Sequence, residues 1–223
     1  MEKEEEVVKK NSFVKILVIL LILYIIGFNI YKILILPINN IYIKNNEYLT
    51  DQEIIDIAGI RNYPSFALTS RFKIKNNLRK NEFIKDVKVS KKAGRVITIT
   101  IEEYKPLLKY NDEIILESGK KVTKDFSLPI ITNEVDEDIL NKLVEKYINI
   151  DDEIKLMISE IKYDPNNIDK ERFLFTMNDG NYVYITLYKI TSINEYIKIL
   201  STLPKDKKGT LFLDSGNYFK KFE

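Results

Sequence analysis

Residues 13–36 form one long apolar run, FVKILVILLILYIIGFNIYKILIL, which limits the possible folds more than any other feature. Only two of its side chains are charged, Lys15 and Lys32, and both lie near its ends. As an α-helix the run is roughly 36 Å long, enough to cross a hydrocarbon core of about 30 Å. Lysines near the ends can extend their ammonium groups to the headgroups, and Pro37 then stops the helix. The sequence therefore predicts a transmembrane helix over residues 13–36, with the lipid bilayer as its partner.

The lysines around this run predict its orientation. Three of them crowd its N-terminal flank: Lys9, Lys10 and Lys15. On the other side Lys32 lies at the membrane edge, and the next cation is Lys44. Because positively charged flanks stay in the cytoplasm, residues 1–12 are predicted to be a cytoplasmic tail and the later domains to be extracellular. This tail has too few residues and too much charge to fold. A cleaved signal peptide is the competing interpretation, but it would have a shorter apolar region followed by small residues.

The composition excludes several classes of chemistry. With 35 basic and 33 acidic residues the net charge is only +2, too small for nucleic acid to be the main partner. The chain has no Cys and no His, which excludes disulfides, thiolate nucleophiles, imidazole bases and the usual zinc sites. We therefore expect no cofactor, no metal and no small-molecule substrate.

Two enzymatic options remain, a Ser/Lys pair and paired carboxylates. A Ser/Lys pair would have to be buried, and no S-x-x-K run lies in an apolar setting. Paired carboxylates can act as acid and base on glycans. Three acidic clusters are candidates: residues 102–103, 134–138 and 151–153. Each lies at a predicted strand end or helix start, where acidic side chains cap helices and face solvent. We therefore predict that the protein is not an enzyme.

Residues 38–105 have the pattern of a small α+β domain. A short alternating strand leads through an Asn-rich turn into a helix, which begins with a Thr50–Glu53 capping box and ends at Gly59. A second helix follows, and then two strands joined by a turn at residues 91–94. The predicted order is β-α-α-β-β, with both helices on one face of the sheet.

Residues 106–223 predict a mostly antiparallel β domain with helices. A meander of short strands comes first, followed by an amphipathic helix over residues 135–148. Farther on, aromatic and β-branched strands flank a predicted two-residue hairpin turn at Asp179–Gly180. After one more helix, the chain is predicted to end in a single strand and a tail.

In this order the segments resemble the FtsQ/DivIB family of bacterial cell division proteins. That family has an N-terminal anchor, a polypeptide-transport-associated (POTRA) domain and a C-terminal β domain. Asn45-Asn46 corresponds to the family's Gly-Asn turn, and residues 102–106 (EEYKP) correspond to its closing motif, with one extra residue before the proline. Four residues match the family's last strand: Gly209, Leu211, Leu213 and Asp214. Ser215 departs from it, since a basic residue is common there. The resemblance covers almost the whole chain and implies an α+β fold.

The resemblance implies a function in cell division. The protein would be a single-pass scaffold at the septum that stabilises or regulates a complex with membrane-anchored coiled-coil partners of the FtsL and FtsB/DivIC type. The alternative is a membrane-anchored docking module of a secretion or envelope-assembly system that uses the same small domain.

The resemblance also places partner binding in the C-terminal part of the β domain, where an exposed sheet edge would accept a partner strand. The candidate docking residues are Thr210, Leu211, Phe212, Leu213, Tyr218 and Phe219. Leu211 and Leu213 are expected in the core, and the three aromatic residues are the stronger candidates for contact. The competing interpretation is a final core strand followed by a frayed tail.

Overall fold

The computed structural model of the protein describes residues 2–203 and 208–223, with side chains described from residue 14 onward. The chain divides into two units, Met1–Glu103 and Tyr104–Glu223. Each unit has its own sheet and its own buried apolar side chains.

The N-terminal helix, α1 (Glu2–Leu34), is longer than the predicted span. Its segment Val14–Leu34 is, among the described residues, the one helix long and apolar enough to cross a membrane. The backbone is helical from Glu2, so the same helix continues through most of the predicted tail. Extending an existing helix needs no new nucleation, so even a short charged segment can continue it. The helix ends two residues before Leu36, since Pro37 disfavours helical geometry in the residue before it.

The first unit has the predicted order β-α-α-β-β after the anchor. Its elements are β1 (Asn40–Lys44), α2 (Asp51–Ala58), α3 (Arg71–Leu78), β2 (Ile84–Lys92) and β3 (Val96–Glu103). Within the described residues they form a three-stranded sheet in the order β1-β3-β2, with β1 parallel and β2 antiparallel to β3. The apolar faces of α2 and α3 are buried together with the alternating isoleucines of β3. The predicted capping box at Thr50 and the left-handed cap at Gly59 are both present.

A carboxylate at the end of β3 fixes the turn before α2. Glu103 accepts hydrogen bonds from the amides of Glu47, Tyr48 and Leu49, at 2.6, 2.8 and 2.9 Å. Three amide donors on one carboxylate join residues that are more than fifty positions apart in the sequence. The acidic pair at residues 102–103 therefore includes a structural carboxylate.

We expect Glu103→Gln to lower the free energy of local opening of the β1–α2 turn by about 1.5–3 kcal/mol, because the new NH₂ group faces backbone donors. Amide hydrogen exchange on the full chain measures this change. The matched control is Glu102→Gln, because Glu102 forms an exposed ion pair with Lys85. That control should change the opening free energy by less than about 0.5 kcal/mol. Equal losses in the two variants would contradict the role given to the three amide bonds.

The second unit is the predicted mostly antiparallel β domain. Its strands are β4 (Pro106–Tyr110), β5 (Glu113–Leu116), β6 (Lys121–Val122), β7 (Ile130–Ile131), β8 (Ile158–Tyr163), β9 (Arg172–Met177), β10 (Tyr182–Thr186), β11 (Gly209–Phe212) and β12 (Tyr218–Lys221). In the part of the chain that the structure describes they form one sheet, in the order β12-β11-β10-β9-β8-β7-β4-β5-β6. The neighbours β4/β7, β7/β8 and β10/β11 are parallel, and the other pairs are antiparallel.

Helices cover one face of this sheet. They are α4 (Glu137–Tyr147), α5 (Asp152–Lys155) and α6 (Tyr196–Ser201), the last preceded by a 3₁₀ segment, Leu187–Glu195. Leu143 and Tyr147 of α4 belong to the same buried core as Phe175 and Val183 of the sheet. Because side chains alternate along a strand, every second residue of β9, β10 and β11 lies on the opposite, outward face.

The hairpin between β9 and β10 has a different turn from the predicted one. Met177 donates its amide to the Asn181 carbonyl, and Gly180 donates to Met177, each at 2.9 Å. The connection is therefore a three-residue loop with Gly180 at a φ of 86°, rather than a two-residue turn at Asp179–Gly180. The extra residue places Asn181 inside the domain, where it is buried.

Candidate functional site

The C-terminal segment is a β-hairpin at one edge of the sheet. β11 lies between β10, to which it is parallel, and β12, to which it is antiparallel. In the sheet order of the described residues, β12 has β11 on one side and no strand on the other. Most of the predicted tail is thus a strand, because β11 offers it a pairing edge that local sequence patterns do not reveal.

The six predicted docking residues divide between the two faces of this hairpin. Leu211 and Leu213 are buried in the core, each about 1% exposed. Phe219 is half-buried and packs against the same core. The alternation of the strands places Thr210, Phe212 and Tyr218 on the outward face.

The outward face carries a row of stacked aromatic rings, which we call the aromatic row: Tyr184, Phe212 and Tyr218. The ring centroids of Tyr184 and Phe212 are 5.3 Å apart, and those of Phe212 and Tyr218 are 4.6 Å apart and nearly parallel. Tyr182 and Phe222 make an edge contact beside this row, at 5.6 Å. Tyr182, Tyr184 and Phe222 were not among the predicted residues. The alternation of β10 could have identified the two tyrosines as outward, but only the strand order brings them beside Phe212.

The guanidinium group of Arg172, in β9, stacks on the ring of Tyr184 in the aromatic row. Its guanidinium carbon lies 3.6 Å from the centre of the Tyr184 ring. The same group donates to Asp214 at 2.7 Å and to Asp164 at 2.8 Å. Burial raises the pKa of the Asp214 carboxyl, but hydrogen bonds from Arg172 and Ser215 outweigh burial and hold that pKa below its usual value. The turn after β11 is therefore tied to β9 by a largely buried ion pair.

A second network fixes the start of β11. The buried side chain of Asn181 accepts a hydrogen bond from the Gly209 amide at 2.9 Å. It also donates to Asp179 and to the Tyr196 hydroxyl, at 3.0 and 3.1 Å. Burial, reinforced by the hydrogen bond to Asp179, raises the pKa of Tyr196 and keeps its hydroxyl protonated. Because all four residues are hydrogen-bonded, β11 cannot move away from β10 without breaking a buried network.

The outer edge of β12 presents main-chain hydrogen-bonding groups. Phe222 donates its amide to the Lys208 carbonyl at 3.0 Å, so its main chain faces β11. In an antiparallel pair, alternate residues point the same way. The amides and carbonyls of Phe219 and Lys221 therefore point away from the sheet. An extended partner strand can pair with these groups while contacting the neighbouring aromatic row.

The other two acidic clusters lie at the starts of helices. Asp152 pairs with Lys155 at 3.1 Å and with Lys105 at 3.4 Å. Residues 136–138 lie at the start of α4, where negative charge favours the helix. In the described ranges, 2–203 and 208–223, no group of three or more Asp or Glu side chains is arranged to hold a metal ion.

Comparisons with known proteins assign the family. The model of the POTRA domain, FtsQ-type, matches residues 36–104. The cell division protein DivIB of Bacillus cereus (strain ATCC 14579) is 31% identical over 193 residues, which cover 82% of this chain and 75% of the relative. The chain belongs to the FtsQ/DivIB family.

Two further DivIB proteins are similar to this chain to different extents. DivIB of Bacillus subtilis (strain 168) is 29% identical over 195 residues, covering 83% of this chain and 74% of the relative. The major extracytoplasmic domain of DivIB from Geobacillus stearothermophilus, in its trans isomer, covers 48% of this chain and 99% of that structure, at 20% identity and a TM-score of 0.39.

Family membership gives the protein a role in cell division, and the apolar N-terminal helix fits a membrane anchor. Several positions of the FtsQ/DivIB motifs have clear structural tasks. Asn45 adopts a left-handed backbone, with φ of 63°, in the turn where the family has Gly-Asn. Glu103 of the closing motif binds that turn, and Asp214 of the last motif binds Arg172. Ser215, the departure from the motif, donates its amide to Asp214.

Proposed function

We propose that the protein is a non-enzymatic scaffold of the division apparatus at the septum. Its N-terminal tail is cytoplasmic, and its two outer domains, residues 38–105 and 106–223, are extracellular. It stabilises or regulates a complex of membrane-anchored coiled-coil proteins of the FtsL and FtsB/DivIC type. The names of its relatives favour this role over that of a secretion or envelope-assembly module.

The observation that carries the proposal is the open edge of β12 beside the aromatic row. Unpaired main-chain groups give an incoming strand its hydrogen bonds, and pockets between side chains give it specificity. Tyr218 is about half exposed, so part of its ring is available to a partner. Aromatic side chains of this kind are enriched where protein surfaces bind one another. The docking surface comprises the outer edge of β12 together with Thr210, Phe212 and Tyr218.

We expect Lys221→Pro to reduce capture of the coiled-coil partners roughly tenfold or more, measured by crosslinking and pull-down of the full-length protein from cells. Proline removes an outward amide donor and obstructs strand addition, while the pairing of β12 with β11 needs no donor there. The matched control is Lys221→Ala, which removes the same charge and keeps the amide. Capture by that control should stay within about twofold of wild type.

Two outcomes would contradict the proposal. If Lys221→Pro captured these partners as well as Lys221→Ala does, the β12 edge would not be the docking site. If transport components were recovered in place of coiled-coil division proteins, the secretion or envelope-assembly role would replace the division scaffold. Hydrogen exchange of β11 and β12 would verify that the hairpin stays folded in both variants.

A further inference from the structure

One end of the first domain is bound directly to the end of the membrane anchor. Four hydrogen bonds join residues 34–38 to a loop before α3 and to the β2–β3 turn. They run from Ser65 Oγ to the Leu34 carbonyl, from the Phe66 amide to the Leu36 carbonyl (2.8 Å), from the Ile38 amide to the Pro64 carbonyl (3.0 Å) and from Arg95 Nη1 to the Pro37 carbonyl (3.1 Å). Because Leu34 is the last residue of the apolar helix, these contacts hold residues 63–68, the membrane-proximal loop, at the level of the C-terminal end of that helix.

The membrane-proximal loop exposes apolar side chains at this level. Leu68 is about 71% exposed, and Tyr63 is also exposed. Tyr63 has a left-handed backbone, with φ of 46°, which is unusual for a residue with a bulky side chain. Leu68 also lines a groove of about 280 Å³ together with Ile60 and Ile74. Tyrosine and leucine suit the boundary between headgroups and acyl chains.

A lysine from β2 holds this loop in place. The ammonium group of Lys91 donates to the carbonyl oxygens of Phe66 and Thr69, the latter at 3.0 Å, and lies 4.3 Å from the centre of the Phe66 ring. The shape of the loop is therefore fixed from within the domain. A preformed loop loses little conformational entropy when it contacts a surface.

The charge at this end of the domain is mostly positive, with the carboxylate of Asp56 paired to Arg61 at 3.6 Å. Residues 57–81 and 87–101 contain no Asp or Glu. The cations in or beside the loop and the β2–β3 turn are Arg61, Arg71, Lys73, Lys91, Lys92 and Arg95. Lys73 lines the same groove as Leu68, and Arg71 is close enough to Lys91 to add to burial in lowering its pKa. A cationic rim around apolar side chains complements anionic phospholipid headgroups.

We propose that the membrane-proximal loop is a lipid contact. Tyr63 and Leu68 insert into the leaflet at the C-terminal end of the anchor, and the surrounding cations bind its anionic headgroups. The anchor and this contact together hold the first domain in one orientation on the membrane. This inference depends on the anchor and not on the docking surface at β12.

The chain has no Trp, so a single introduced Trp reports its own depth in the membrane. We would place the full-length protein in nanodiscs of equal parts phosphatidylcholine and phosphatidylglycerol, with or without bromine on the acyl chains, which quenches Trp fluorescence. Leu68→Trp should be quenched roughly twofold or more by the brominated lipid, with blue-shifted emission. Tyr24→Trp, in the middle of the span, is the positive control. Tyr42→Trp, on an exposed site of β1, is the matched control in the same domain and should not be quenched.

A second probe tests whether the introduced Trp side chain itself causes the loop to insert into the membrane. The chain also lacks Cys, so Leu68→Cys and Tyr42→Cys can each carry one nitroxide label. The label at residue 68 should be more accessible to oxygen, which concentrates in lipid, than to a water-soluble nickel chelate, and the label at residue 42 should show the reverse. The proposal is overturned if residues 68 and 42 behave alike in both experiments while Tyr24→Trp is quenched.

Discussion

Arg172→Met should lower the free energy of opening of β9 and β10 by about 3–5 kcal/mol at pH 7, the largest effect we expect from one substitution. The Arg172 side chain is 13% exposed, and that of its partner Asp214 is 8% exposed. Methionine preserves most of the apolar stem but leaves a buried carboxylate without its cation. Amide hydrogen exchange of β9 and β10 in the full-length protein measures the loss.

The size of this loss should depend on pH. In the wild type, the pKa of Asp214 is held below its usual value, so its contribution is complete above the unfolded pKa of about 3.9 and is lost as pH falls through the folded value. Without Arg172, burial raises the pKa of this carboxyl in the folded state. Protonation of the carboxyl then removes the buried charge and with it most of the destabilisation of the variant. The difference in opening free energy between the wild type and Arg172→Met should therefore become smaller as the pH is lowered from 7 to 4.

A matched substitution separates this pair from ordinary surface charges. Lys142 forms an ion pair with Glu171 at an exposed site, where its own side chain is 53% exposed. Lys142→Met should cost no more than about 1 kcal/mol. If the loss in Arg172→Met were the same at pH 4 and pH 7, it would come from the other contacts of the guanidinium, with the Tyr184 ring and the Asp164 carbonyl, and not from the unpaired carboxylate.

Gly209→Ala should detach β12 from β11, with a loss of about 1–3 kcal/mol in the opening free energy of the hairpin. A Cβ atom at residue 209 would overlap the carbonyl oxygen of Lys220 and would lie 2.7 Å from a ring carbon of Phe219. The obstacle is backbone, so the strand itself has to shift. β11 cannot yield in the other direction, because the Gly209 amide is bound to buried Asn181.

This substitution links the edge of the sheet to the proposed docking. Capture of the coiled-coil partners should fall roughly tenfold or more, because the strand that accepts them is displaced. Thr210→Ala is the control for stability, since residue 210 points outward and its truncation creates no overlap. Gly209→Ala with normal protection of β12 in hydrogen exchange would contradict the steric prediction. If β12 kept its normal protection and capture were still lost, the loss of docking would not come from displacement of β12.

The short-range features of the chain were predictable because the interactions that create them are local. The capping box at Thr50 and Glu53 joins residues three apart, and the anchor follows from one uninterrupted apolar run. The alternating isoleucines of β3 identified a half-buried strand without any knowledge of its neighbours. The order of elements in the first unit followed from these signals alone.

The features that could not be predicted from the sequence depend on pairing between distant segments. The four residues of β12 have no strong pattern, and they form a strand because β11 lies beside them with an open edge. No sequence pattern predicted that Asn181 would be buried, because its burial depends on the three-residue loop that directs its side chain toward Gly209. Arg172 and Asp214 are 42 residues apart, so only the strand order brings them together.

Sequence by itself thus determined the anchor, the α+β class, the helix caps and the family resemblance, since each rests on periodicity or on contacts within a few residues. Tertiary structure alone decided which strand forms the open edge, which aromatic side chains stand beside it and which cations gather at the end of the anchor. In the sequence, the only Lys or Arg residues between positions 29 and 60 are Lys32 and Lys44. In the fold, Arg95 reaches the carbonyl of Pro37 and Lys91 holds the adjoining loop. Long-range strand pairing creates such neighbours, and no local pattern encodes them.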